Sequence, residues 1–392
     1  MTILTLNAGD LARALSKLTG IVSRKSTIPI LANVLIKTQG EGALLTVTDL
    51  DMQATTRVAL EEMALTPVET TICAHTFYDV VRKFPSTNIV TLDCSDPKEV
   101  IFKSGRSKFR FPALPTGDFP SITPHSYNHD VTINAAHLHK LFAHAVPFIS
   151  SEEVRYYLNG IYFHQVETNE RNTLRGVSTD GHRLARIDHD VSSDTITSHD
   201  GTALPSVIIP RTAISVMLKL LADDSKKATN VQLEVGNNSA RLTLGQTEFV
   251  TKLVHGTFPD YTRVIPSSGW TYEAKIPREL LACAVDRVSS VKSDKVSAVK
   301  VEAEGNQITI SMAGADSGSA SETLDVEATF LDNKNNILEV GFNYRYLLDI
   351  LNVIEGETVI IRMIDKNAPA IIQDADIDAA KNALFVLMPM RF

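Results

Sequence analysis

Apolar residues along this chain switch between two spacings. Leu11, Leu15, Leu18 and Val22 recur at helical intervals from about Ala8. Leu138, Leu141, Phe142 and Ala145 do so from Asn134, and Leu281, Ala284, Val285 and Val288 from Pro277, whose fixed φ suits a first helical turn. Each stretch is followed by a second: Phe77, Val80, Val81 and Phe84, then Ile214, Met217, Leu218 and Leu221, then Leu347, Leu348, Leu351 and Ile354. Between and after the helices the spacing falls to two, as over 44–58, 175–187 and 307–312, the pattern of half-buried strands. Every third of the chain reads helix, strands, helix, strands, an α+β order used three times.

Short signatures repeat with that order. Val47-Thr48-Asp49 and Ser178-Thr179-Asp180 follow comparable strands. Gly105 and Phe109, then Asp118-Phe119-Pro120, close the first third; Gly245 and Phe249, then Phe258-Pro259-Asp260, close the second. Self-similarity of this kind points to one architecture repeated. A Pro-, Ser- and His-rich stretch over 114–128 and a break over 264–269 place three domains at 1–125, 126–266 and 267–392.

A chain of 392 residues is too long for one ordinary core, and 44% hydrophobic with 21% charged residues describes a globular protein. The start, MTILTLNAGD, has neither the basic lead nor the apolar run of a secretion signal, and no segment approaches the roughly 20 apolar residues of a membrane span. Cys73, Cys94 and Cys283 form no CxxC pair and read as reduced thiols of a cytoplasmic protein. A net charge of −8 argues against nucleic-acid binding until its distribution is considered: the six helical segments with their ends carry +7 and the remainder −15. Basic helices and an acidic remainder would turn one positive surface toward phosphate.

Geometry limits what that surface can do. Helices pack about 8–10 Å apart, so six closed in a ring leave no room for a duplex, whereas twelve give an axis diameter of about 34 Å and roughly 24 Å clear. Two chains with three repeats each are needed. Phosphate attraction carries no base information, so such a ring would slide.

Enzyme-like features fare worse. Ser178, Asp180 and His182 lie on one strand and turn, where alternate side chains diverge. Asp49 and Asp51 lack a third metal ligand, and the stretch from Gly20 to Ser26 has Arg24 where a phosphate loop requires glycine. No cofactor is expected.

The motifs Arg155-Tyr156-Tyr157-Leu158-Asn159-Gly160, Thr179-Asp180-Gly181-His182-Arg183-Leu184, Phe258-Pro259-Asp260-Tyr261 with Arg263-Val264, Gly341-Phe342-Asn343 and Met388-Pro389-Met390-Arg391 occur in the right order along a chain that resembles, over essentially its full length, the beta-subunit family of bacterial DNA polymerase III, the processivity clamps. The resemblance implies a DNA clamp fold: three similar domains per chain, two helices from each on the inner face, antiparallel sheets outside, and a head-to-tail homodimeric ring on double-stranded DNA. It also implies a groove between the second and third domains for short peptides of the replicative polymerase, the clamp loader and repair polymerases. The matching positions are Arg155, Leu158, Thr179, Gly181, His182, Arg183, Leu184, Pro259, Arg263, Val264, Val296, Asn343, Tyr346, Val386, Leu387, Met388, Pro389, Met390, Arg391 and Phe392. Leu158, Leu184, Val264 and Val386 to Met388 would make its apolar floor, the methionines would adapt to varied side chains, and Arg155, Arg183 and Arg391 would offer donors at the rim. Val296 replaces a larger aromatic of the family and Phe392 a terminal leucine. DNA contacts are implied at Lys25 beside Arg24, at His75, and at Tyr156 and Tyr157. Arg82, on the second helix, is within reach of phosphate, and Glu152 stands where the family has a neutral residue. The dimer interface would set Phe109 and Phe111 against Val291, with Arg106 and Lys108 facing Asp316 or Glu322.

Overall fold

The computed structural model describes residues 2–122, 126–167, 172–192, 195–227, 229–291, 298–314, 318–331 and 337–391. The helices are α1 (Ala8–Leu18), α2 (Ala74–Val81), α3 (Ala135–Ala145), α4 (Arg211–Asp224), α5 (Arg278–Val288), α6 (Tyr344–Val353) and a short α7 (Ile377–Asn382). Asparagines start three of them. Asn7 Oδ1 accepts from Gly9 N at 2.9 Å, Asn134 Oδ1 from Ala136 N at 2.8 Å and Asn343 Oδ1 from Arg345 N at 3.0 Å, satisfying amides that have no partner within the helix.

The helices end earlier than their apolar spacing predicts. Val22, Phe84 and Ile354 lie past the last turns of α1, α2 and α6, yet Val22 and Ile354 are buried and Phe84 packs on Phe102 with centroids 5.4 Å apart. Apolar residues after a helix stay in phase with the core without being helical. Pro277 precedes α5 as its cap instead of entering the first turn, and Arg82 is the residue that caps α2 at its C-terminal end. Helix α7 was not expected; none of its residues is buried, so it lacks the apolar stripe that would announce it.

The chain forms two compact units, Met1–His139 with Ser193–Val254, and Lys140–Ser192 with His255–Phe392. In the first unit, Ile3–Asn7, Ile89–Asp96, Glu99–Ser104 and Ser107–Pro112 make a four-stranded antiparallel sheet. A larger sheet continues from the strands of the middle third into those of the first through the pair Thr247–Lys252 and Met52–Ala59, with Phe249 opposite Ala54. In the second unit the pair Arg183–Asp190 and Ala383–Leu387 makes the same kind of join, with Phe385 opposite Ala185, and Gly318–Asp325, Gln307–Gly314, Ala298–Glu304 and Ile337–Asn343 form a second four-stranded sheet. Here Phe148 and Phe385 stack at 5.4 Å.

The repeat extends to single hydrogen bonds. The predicted strand over 44–58 is two strands joined by a turn in which Thr48 Oγ1 donates to Met52 O at 2.8 Å and Asp49 Oδ1 accepts from Asp51 N at 3.0 Å and Met52 N at 2.7 Å. The predicted strand over 175–187 divides in the same way: Thr179 Oγ1 donates to Arg183 O at 2.7 Å and Asp180 Oδ1 accepts from His182 N at 2.9 Å and Arg183 N at 3.0 Å. Leu50, with φ +81°, occupies the position of Gly181, with φ +89°.

Candidate docking and nucleic-acid surfaces

In the second unit the 179–183 turn, the start of α6 and the C-terminal tail come together. The tail bridges the turn and the strand Ile337–Asn343: Met388 N donates to His182 O at 2.9 Å and Met390 N to Gly341 O at 2.8 Å. His182 stacks on Tyr346 at 6.3 Å. Gly181 belongs here for a second reason besides its φ: a Cβ would lie 2.6 Å from Arg155 Nη1. Arg155 grips Glu152 through Nε at 2.8 Å and Nη2 at 2.7 Å and reaches Asp180 O at 3.3 Å. That pairing draws the Glu152 carboxyl below its usual range.

Burial sorts the proposed lining. Val264, Met388 and Met390 expose 45%, 38% and 38% of their surface, enough for a soft apolar wall. Leu158, Leu184, Val386 and Leu387 are buried in the chain's own core, so the floor expected of them lies beneath the surface. Arg183 also departs from expectation. Its guanidinium is buried, donating to Asp180 Oδ2 at 3.0 Å, Asp349 Oδ2 at 2.5 Å and Pro147 O at 2.6 Å, with the Tyr346 ring 4.2 Å and the Phe148 ring 5.0 Å away. It is a rivet joining the turn to α6, not a rim donor. Burial, followed by the nearby Asp180 charge, pushes the Tyr346 hydroxyl up. Thr179 is tied into the turn, Asn343 caps α6, Pro259, Arg263 and Arg391 are exposed, and Pro389 is half-buried. Val296 and Phe392 lie outside the described residues.

The nucleic-acid candidates fall on both units. In the first, Arg24 and Arg82 share Asp79, at 3.6 and 3.0 Å, Lys25 is exposed, and His75 Nε2 is bound to Val22 O at 2.7 Å, so that nitrogen donates inward. In the second, Tyr156 is exposed and Tyr157 half-buried, their rings 5.9 Å apart edge to face.

The candidate interface residues sit at two sheet edges. Ser107–Pro112 ends one four-stranded sheet and Gly318–Asp325 ends the other, each with one side of its backbone unpaired within its sheet. Arg106, Lys108 and Phe109 are exposed on the first edge. Phe111 is buried instead, against Phe77 at 5.6 Å, and so is committed to its own core. On the other edge Glu322 is held by Arg287 Nε at 2.9 Å, and Val291 is half-buried nearby in sequence to α5. Asp316 lies outside the described residues.

The enzyme-like clusters dissolve into scaffolding. Ser178 Oγ donates to Ala145 O at 2.6 Å, and Asp180 is consumed by its turn and Arg183. Among the described residues no group of three or more His, Cys, Asp and Glu could hold a metal ion, and no helix is long and apolar enough to cross a membrane.

Sequence missed Asp349, Pro147 and Phe148, which hold Arg183, and the set of buried His164 and Asp188 with half-buried Arg175 beside Tyr261.

Family models for the N-terminal, central and C-terminal domains of the DNA polymerase III beta subunit match residues 2–123, 132–260 and 262–391. A beta sliding clamp of Caulobacter vibrioides is 34% identical over 394 aligned positions, covering 99% of both chains, and one from Pseudomonas putida is 33% identical over 99% of both. Among solved structures, a DnaN sliding clamp from Bartonella birtlesii bound to griselimycin is similar with a TM-score of 0.89 at 36% identity, covering 100% of both chains. A polymerase sliding clamp from Caulobacter crescentus has a TM-score of 0.90 at 33% identity, again over 100% of both.

Proposed function

Because this chain belongs to the DNA polymerase III beta subunit family of sliding clamps, we propose that two copies close head to tail around duplex DNA and that partner proteins dock through short peptides beside the 179–183 turn, α6 and the tail. The chain is a processivity sliding clamp of three similar domains and is not an enzyme. It binds DNA and polymerase partners. The domains run over 1–125, 126–266 and 267–392, following the internal repeat, and the clamp works in the cytoplasm on double-stranded DNA.

The ring rests on the two unpaired sheet edges. One carries Arg106 and Lys108, the other Glu322, and a contact between unlike edges is heterologous, closing only when the rotation returns on itself. Six helices per chain close at two copies by the spacing argument, leaving roughly 24 Å for DNA. Arg24, Lys25, His75 and Arg82 from one unit and Tyr156 and Tyr157 from the other would then meet the backbone without reading bases. The replicative polymerase, the clamp loader and repair polymerases would share the one groove, which suits its exposed methionines. The groove is tested by deleting Met388 to Phe392. Polymerase docking should be lost while the particle still runs as a dimer of the shortened chain. Docking that survives the deletion would refute the groove.

A further inference from the structure

Phe258-Pro259-Asp260-Tyr261 runs over the strands of the middle third, and its first and last members face inward. Phe258 is buried and stacks on Tyr162, centroids 4.8 Å apart and planes 3° apart. Tyr261 is buried, and its hydroxyl accepts from Arg175 Nη1 at 3.1 Å and lies 3.1 Å from His164 Nε2, to which it can donate. Arg175 is itself fixed: its Nε and Nη2 donate to the two oxygens of Asp188 at 2.6 and 2.8 Å, and the Asp188 side chain is 1% exposed. Its middle members and the residues that follow face outward. Asp260 accepts from Thr262 N at 3.2 Å and Arg263 Nε at 2.9 Å, closing the single turn Tyr261–Val264 that presents Arg263 and Val264 to solvent.

The repeat supplies a control. His164, Arg175 and Asp188 stand opposite one another on three neighbouring strands, Arg175 four residues before Thr179. The same register positions in the first third, counted from Thr48, hold Lys37, Leu44 and Arg57. None of those can rebuild the tether, and the segment matching Phe258-Pro259-Asp260-Tyr261 there is Phe119-Pro120-Ser121-Ile122, with isoleucine in place of the tyrosine. The fold therefore forms without this network. It is present in the copy whose following segment carries Pro259, Arg263 and Val264.

We propose that Tyr261 is a positioning residue for partner docking, its hydroxyl pinned by the Arg175–Asp188 pair and His164 so that the Pro259-to-Val264 wall is held in place before the peptide arrives. This rests on the groove assignment above. A preformed wall spares the ordering cost that a loose one imposes on binding. Removing the hydroxyl leaves Arg175 Nη1 and His164 Nε2 without their shared partner and frees the wall from below.

The test is a double-mutant cycle on the full-length dimer, titrated with the catalytic subunit of the cognate replicative polymerase. Tyr261→Phe and Val264→Ala are each expected to weaken docking about tenfold, and the double variant should lose little more than either one, because both act through one wall. Dimer mass and retention on circular DNA should stay at wild-type values, which a general loss of structure would not allow. If Val264→Ala weakens docking but Tyr261→Phe stays within twofold, or the two losses multiply, the positioning role is overturned and the groove stands. An unaffected Val264→Ala overturns the groove itself and the proposal with it. Should Tyr261→Phe fail to yield the dimer, His164→Leu removes one tether and keeps the other. It should weaken docking severalfold and non-additively with Val264→Ala; unchanged affinity would contradict the proposal.

Discussion

His164 shows what burial does to a single titratable group in this protein. Loss of solvent, followed by the Arg175 charge beside it, pushes the imidazole down from 6.5 to about 4. Between those values the unfolded chain takes up a proton that the folded chain refuses. Stability must therefore fall as pH drops from 6.5 toward 4, by up to about 3 kcal/mol from this residue. His164→Gln keeps a polar partner for Tyr261 and removes the titration, so its urea midpoint should decline less steeply over that window than the wild type's. Parallel declines would show that His164 does not titrate as its burial requires. Arg175 goes the other way: burial opposes its charge, but the bonds to Asp188 outweigh that and hold it protonated above its ordinary range. Neither environment was legible in the sequence. A strand arginine such as Arg175 or Arg183 is exposed or buried according to partners more than ten positions away, and only the packed structure supplies Asp188 for one and Asp349 for the other.

Elements were easier to read than residues. Six of the helices followed from apolar spacing because each buries one stripe, as α1 does with Leu11, Leu15 and Leu18. Their ends did not, since Val22 and Ile354 continue the spacing after the backbone has left the helix. The strands read over 44–58 and 175–187 each hid a turn, because apolar alternation carries straight across it and a single residue, Leu50 or Gly181, takes up the left-handed backbone. Gly181 does so without strain, and Leu50 does not. A left-handed backbone costs a branched side chain about 1–2 kcal/mol. Leu50→Gly should raise stability by about 0.5–1 kcal/mol, after the entropy that glycine adds to the unfolded chain. A lower denaturation midpoint for Leu50→Gly would mean that the half-exposed leucine side chain contributes more than the turn costs.

At the scale of the whole molecule, the repeat was legible because its signatures are local: a Thr-Asp turn, an amphipathic helix, a Phe-Pro segment. The groove was not legible from patterning alone. It needed family motifs to name its positions, and the structure then moved Leu158, Leu184, Val386, Leu387 and Arg183 inward and left Val264, Met388 and Met390 at the surface. The residues expected at a dimer interface sorted in the same way, Phe111 turning into the core while Phe109, Arg106 and Lys108 stayed on an open edge. A net charge of −8 with basic helices makes sense if DNA is held by topology, because no strong overall attraction is then required.

That claim has a direct test. Clamps loaded by an ATP-driven loader onto nicked circular DNA, separated from free protein and then linearised at one site, should remain on the circle and run off the linear form within minutes. Equal loss from both, or equal retention on both, would mean that the protein grips the duplex without encircling it.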